Sequence, residues 1–281
     1  MARKKSGTAR KLLFLLLVCA AGFAVWMGGC DKIASKFRSK TKTQSTKKEK
    51  VARRAPASTS VPGPKLAIIL DDLGNDKEAT EAVFALHYPL TISVLPYHAH
   101  STEIAEEAKR RGLEVMLHLP MRAIANDTPE AHQLEAGMSS EAVARELNGM
   151  LESVPTADGV NNHEGSLATT DAKLMGELMP LLKQRDLFFV DSRTTAATVA
   201  FEAAERAGVR SGFRNVPFLD DVQEVGAIRK QLELAIRGAK EKGEAIAIGH
   251  PHAETLQALK EVLPRAETEG VHLVFVSELV K

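Results

Sequence analysis

Leu66-Ala67-Ile68-Ile69-Leu70-Asp71-Asp72-Leu73-Gly74 is an apolar, strand-length run that breaks without warning into two adjacent carboxylates and a glycine. A continuous run of branched residues bounded by a turn signal reads as a strand buried on both faces. Comparable runs follow at Thr91 to Leu95, Glu114 to Leu119, Leu187 to Val190, Ala245 to Ile248 and Val271 to Val276. Between them lie helical stripes, among them Ala79/Val83/Leu86, Val143/Leu147/Met150/Leu151/Val154, Leu174/Leu178/Leu181/Leu182 and Ile228/Leu232/Ala235/Ala239. Those stripes are core faces. Ser101 is expected just before one helix, with Gly112 after it and Gly208 after another; Pro180 is expected to kink or split its helix. Alternation of this kind dictates right-handed βαβ units and a parallel sheet, and seven or eight units of it predict a distorted (β/α) barrel. In such a barrel functional groups collect where the strands end, so the polar residues there deserve the closest reading.

Several strands end in Asp or His. Beyond Asp71-Asp72, Val115-Met116-Leu117 leads to His118-Leu119-Pro120-Met121, and Phe188-Phe189-Val190 to Asp191-Ser192-Arg193-Thr194. Ala245-Ile246-Ala247-Ile248-Gly249 leads to His250-Pro251-His252, and Gly159-Val160-Asn161-Asn162-His163-Glu164-Gly165-Ser166 packs polar groups between glycines. Adjacent carboxylates repel one another and are usually stabilised by a cation or a set of donors. A satisfied core histidine would account for each imidazole taken singly, and a turn cap for the aspartates. One metal site accounts for the whole set. Aspartate and imidazole suit zinc or another divalent transition ion, and three such ligands leave a position open for water. Asp191 is placed to charge an adjacent imidazole.

These segments, together with Phe218-Leu219-Asp220 and Gly249-His250-Pro251, resemble the divergent polysaccharide deacetylase family in an order that covers residues 65 to 281. The resemblance implies a deacetylase-like barrel and metal-dependent removal of N-acetyl groups from a cell-envelope N-acetylhexosamine polymer. It implies Asp71 as general base, Asp72 and His118 as metal ligands and His250 as the acid that protonates the departing amine. The wider deacetylase group has a second histidine one helical turn after the first, where this chain has Arg122; the third ligand is therefore assigned to His163. Asn162 and Ser166 are expected at the substrate, Arg214 and Asp220 at the substrate or orienting the base, and His98 and His100 at the pocket rim. A non-catalytic carbohydrate-binding or envelope-organising protein on the same barrel, or another metal hydrolase such as an amidase or phosphoesterase, stands as the alternative.

The near-neutral total charge hides a division. Residues 1 to 64 carry 15 Lys/Arg against Asp31 and Glu49, leaving 22 basic and 34 acidic residues in 65 to 281. So acidic a domain lacks the basic surface that nucleic acid requires. Arg3, Lys4, Lys5, Arg10 and Lys11 precede the apolar run Leu12 to Met27, the arrangement of a secretory signal. Met27-Gly28-Gly29-Cys30 resembles a lipobox, so residues 1 to 30 are expected to be a lipoprotein signal or an uncleaved membrane anchor. The basic residues after the run, Lys32 to Lys50, would hold an uncleaved anchor's domain in the cytoplasm; lipobox cleavage and the family resemblance both favour export. Residues 31 to 64 read as a disordered basic tether. Cys19 and Cys30 are the only cysteines, so neither a disulfide nor a thiolate site exists within 65 to 281.

Overall fold

The structure, a computed structural model, describes residues 63 to 125 and 130 to 281. The signal, lipobox and nearly all of the tether fall outside those residues. Among the described residues no helix is long and apolar enough to cross a membrane.

Among the described residues, eight parallel strands alternate with helices: β1 (Lys65–Leu73), β2 (Thr91–Val94), β3 (Glu114–Met121), β4 (Gly159–Glu164), β5 (Phe188–Asp191), β6 (Ser211–Phe213), β7 (Glu244–Gly249) and β8 (His272–Val274). The helices are α1 (Lys77–Phe84), α2 (Ser101–Arg110), α3 (Ser140–Ser153), α4 (Ala172–Gln184), α5 (Ala200–Ala207), α6 (Val225–Lys242) and α7 (Ala253–Thr268). The strands run β6-β5-β4-β3-β2-β1-β7, a nearly closed barrel of seven, and β8 pairs with the lower half of β1. Closure across the β6/β7 gap is made by Asn215. Its backbone N–H donates to Ile246 O (2.9 Å) and its Oδ1 accepts from Ile246 N–H (2.6 Å), so its side-chain oxygen stands in for a strand carbonyl.

Strand periodicity sorts the side chains into two cores. The helices cover an outer layer that includes Leu66, Ile68, Leu70, Leu117 and Phe189, whereas Ala67, Ile69, Met116, Phe188, Val190 and Ile248 fill the barrel interior. Gly159 is required by this filling: a Cβ there would lie 2.3 Å from the Phe188 ring. Gly112 and Gly208 take left-handed φ of +82° and +70° at the ends of α2 and α5, as their positions predict. Two local expectations are corrected. Ser101 is the first residue of α2, and its hydroxyl donates to Leu95 O instead of capping. Helix α4 is not split at Pro180, which lies inside it; the residue is on the exposed face, where water can satisfy the carbonyl it leaves unbonded.

The base of the barrel holds a buried acid. Glu114 Oε1 accepts from Thr91 Oγ1 (2.9 Å) and from Ser277 N–H (3.1 Å), pinning the C-terminal segment under the strands. Burial raises its carboxyl above the ordinary range despite those two donors. A folded-state value above the unfolded one gives a contribution that is full at acid pH and lost as pH rises through the folded value. Glu114→Gln, which keeps the accepting oxygen and cannot ionise, is therefore expected to raise Tm relative to the parent at pH 8. The gain should vanish at pH 4, and a scan of Tm against pH for both chains checks it.

Candidate active site

An ordinary strand would turn Asp71 and Asp72 to opposite faces. Here the β1/β2 register slips between Leu70 and Leu73, and Asp72 takes the left-handed φ of +60°. This bulge adds a residue to one strand and re-aims its side chains. Both carboxylates consequently reach His118: its Nε2 lies 3.6 Å from Asp71 Oδ2 and 3.2 Å from Asp72 Oδ1. Asp71 is buried at 1 % exposure, while the Asp72 side chain is 37 % exposed and opens to the mouth.

His163 completes a triangle. Its Nδ1 is 3.1 Å from Asp72 Oδ1 and 3.1 Å from His118 Nε2. Two imidazole nitrogens and a carboxylate oxygen this close are held either by shared protons or by a cation among them. Ligand atoms around a tetrahedral zinc with bonds near 2.05 Å lie roughly 3.3 Å apart, so the triangle fits a divalent ion. Asn161 fixes which nitrogen of His118 faces the triangle. Its Oδ1 accepts from Ser93 Oγ (2.5 Å) and stands 2.9 Å from His118 Nδ1. Its Nδ2 donates to Asp71 Oδ1 (2.9 Å) and to Ser192 Oγ (3.3 Å). An amide oxygen only accepts, so Nδ1 carries the proton and Nε2 presents its lone pair.

The charges follow from this packing. Burial pushes the Asp71 carboxyl up, outweighing the pull of His118 and His250. Burial also works to raise Asp72, but hydrogen bonds donated by His163 and, while no ion occupies the lone pair at Nε2, by a doubly protonated His118 prevail and hold it well below the usual carboxylate range. His250 ends β7 with Nε2 facing Asp72 Oδ2 at 3.7 Å and Nδ1 2.9 Å from Asp220 Oδ1. Burial opposes its protonation; the Asp220 hydrogen bond and the charge of Asp71 overcome that and push it up to about 9.

Asp71, Asp72, His118, His163 and His250 thus meet at one mouth, and other expected site residues do not. Asp191, expected to charge an imidazole, is corrected: its oxygens accept from Arg193 N–H (2.8 Å), Thr198 Oγ1 (2.9 Å) and Phe201 N–H (3.3 Å), bracing its own loop. Strand β6 separates it from β7, and the carboxylate that charges His250 is Asp220. Asp220 itself, expected at the substrate, is 5 % exposed and fully engaged with His250 and Thr255. Asn162 is likewise corrected. It is 1 % exposed, its Oδ1 accepts from Ser192 N–H and its Nδ2 donates to Glu164 O. Arg214 spends donors on the carbonyls of Ser192, Val216 and Arg193 and stacks on Phe218 at 4.0 Å, stapling loops together. Ser166 Oγ accepts from Ile124 N–H and ties the β3 and β4 loops. His98 and His100 are half-buried on the β2 loop, the latter 3.5 Å from Glu103. Asn161, with Ser93 and Ser192, was not expected in the site. The signal existed: if His163 faces inward on β4, strand parity sends Asn161 inward with it and Asn162 outward.

A nearly closed parallel barrel with an Asp/His/His triangle at its C-terminal mouth defines the class of deacetylase-like (β/α) barrels. The chain belongs to the divergent polysaccharide deacetylase family, whose model matches residues 68 to 280. Among relatives, an uncharacterized protein of Haemophilus influenzae is 38% identical over 215 residues, 76% of each chain. Among solved structures, the uncharacterized protein ATU2773 from Agrobacterium tumefaciens C58 superposes with a TM-score of 0.75 at 22% identity, covering 79% of this chain and 91% of that one. The catalytic domain of a peptidoglycan N-acetylglucosamine deacetylase from Eubacterium rectale gives a TM-score of 0.51 at 14% identity, covering 79% and 94%. At these identities the two structures speak for the fold.

Proposed function

We propose that this domain is a metal-dependent hydrolase that removes N-acetyl groups from an N-acetylhexosamine polymer of the cell envelope. The observation that carries the proposal is the convergence of a metal-ligand triangle, a buried carboxylate and a charged imidazole on one open mouth. Asp72, His118 and His163 would hold the ion, with zinc the best match to the donor set. Bound there, a divalent ion supplies Lewis-acid charge that polarises an amide carbonyl and makes water a usable nucleophile at neutral pH.

The chain's own residues supply the rest. Asp71, with Oδ1 tied to Asn161, keeps Oδ2 beside the triangle to accept the proton of the attacking water; burial strengthens it as a base. His250 holds a proton at Nε2, across the mouth from Asp71, for the amine that leaves as the C–N bond breaks. One proton passes from water to Asp71 and one from His250 to nitrogen as the C–N bond breaks, yielding a free amine and acetic acid, which gives up its remaining proton to solvent as acetate. Asp72 and the partly exposed His163 open the triangle to solvent, where a polymer has access. The basic and apolar N-terminal run and the cysteine at position 30 support export and a membrane tether.

N-acetylated chitooligosaccharides offered to the full chain are expected to release acetate, with loss of activity under a chelator and recovery on adding zinc. Binding of the oligosaccharide with no acetate released under any metal would instead identify a non-catalytic glycan-binding barrel.

A further inference from the structure

His250 belongs to two constellations. Its Nε2 faces Asp72 of the first triangle, while Nδ1 faces Asp220, and the His252 ring lies with its centroid 5.7 Å from that of His250. One ligand atom from each of Asp220, His250 and His252 lies within 4.8 Å of the other two. We propose that these three residues form a second site for a divalent transition ion of the zinc type, and that filling it silences His250 as a proton donor.

The donors are prepared for this. Asp220 Oδ2 is saturated by His250 N–H (2.6 Å) and Thr255 Oγ1 (2.8 Å), which lock the carboxylate and leave Oδ1 as the oxygen a cation would meet. His252 precedes α7, and its ring makes no capping bond there. The Gln223 amide nitrogen lies 3.1 Å from His252 Nε2; turned over, the same amide offers its oxygen, so it can hold the ring in either tautomer. The ligand set repeats that of the first triangle, Asp/His/His, which leaves an open coordination position.

The second site is not a partner in catalysis. Ions that share a nucleophile in two-metal hydrolases sit about 3.5–4 Å apart, and here the whole His250 ring stands between the two clusters. A cation at Nδ1 takes the place of the proton that Asp220 holds. A ring whose Nδ1 lone pair is taken by a cation cannot carry a proton on that nitrogen, so His250 is left with the single Nε2–H of an otherwise neutral imidazole. This consequence for turnover rests on the proposed function; the binding site does not.

The test uses the full-length, untagged chain in detergent, stripped of metal and dialysed against increasing free zinc, with bound zinc counted by elemental analysis. The parent is expected to bind one equivalent more than His252→Ala, with the missing site weakened at least about a hundredfold; Asp72→Asn should keep the equivalent that His252→Ala loses. In parallel, zinc beyond the first equivalent should lower acetate release by the parent roughly tenfold or more, with His252→Ala resistant. Equal zinc uptake by the parent and His252→Ala overturns the site. A lost equivalent with inhibition unchanged overturns the silencing of His250. Two equivalents bound by a chain that releases no acetate under any condition would defeat the deacetylase reading and leave the second site standing.

Discussion

Asp71→Asn is expected to lower kcat for acetate release by about 10²–10⁴-fold, the usual contribution of a positioned general base, while the chain keeps its zinc. The substitution preserves size. It removes the lone pair that takes the water's proton, and it leaves Asp72, His118 and His163 in place. Asp71 lies 3.6 Å from His118 Nε2, against 3.2 Å for Asp72, and its Oδ1 is engaged by Asn161, so it stands beside the triangle and not in it. Bound zinc by elemental analysis and turnover on a chitooligosaccharide, measured on one preparation, separate the roles. Loss of zinc with loss of activity would make Asp71 a ligand; turnover within about threefold of the parent would deny it the role of base.

Asn161→Ala is expected to weaken zinc binding by about 10–100-fold, the effect seen when a residue that orients a metal-binding histidine is removed. Its amide is the one group touching His118, Asp71, Ser93 and Ser192 together. Without it, His118 is free to place a proton on Nε2, the nitrogen the ion needs, and buried hydroxyls lose their partner. Each orphaned buried group costs about 1–3 kcal/mol, so denaturant unfolding of the metal-free chain should show a loss of several kcal/mol. Zinc competition against a chromophoric chelator reads the first effect separately. An alanine variant with parental zinc affinity would show that the His118 tautomer is fixed by something else.

The barrel was legible because its cause is local. Apolar runs of strand length alternate with helical stripes, and only parallel β/α packing buries both. Strand β6, from Ser211 to Phe213, is too short to carry a period, and it became a strand through its neighbour β5 and through Asn215 bridging to β7. The polar strand ends were legible for the same reason, each being a break in an apolar run. Among these the Asp/His/His triangle was assigned from the residues and the family resemblance, and the geometry brings all three together.

By itself, then, the chain determined which segments bring polar residues to the ends of a parallel barrel's strands, since hydrophobic periodicity fixes strands and their ends one segment at a time. Only the tertiary structure decided which of them touch. The bulge that brings Asp72 beside Asp71 depends on β1 pairing with β2. The choice of Asp220 over Asp191 depends on Leu219 N–H reaching Ile248 O, which carries the β6 loop beneath the end of β7. The place of Asn161 at the centre depends on its register beside His118. Each of these is a contact between segments far apart in the chain, set by barrel closure, and a pattern read along one segment holds no information about the partner it will face across the barrel.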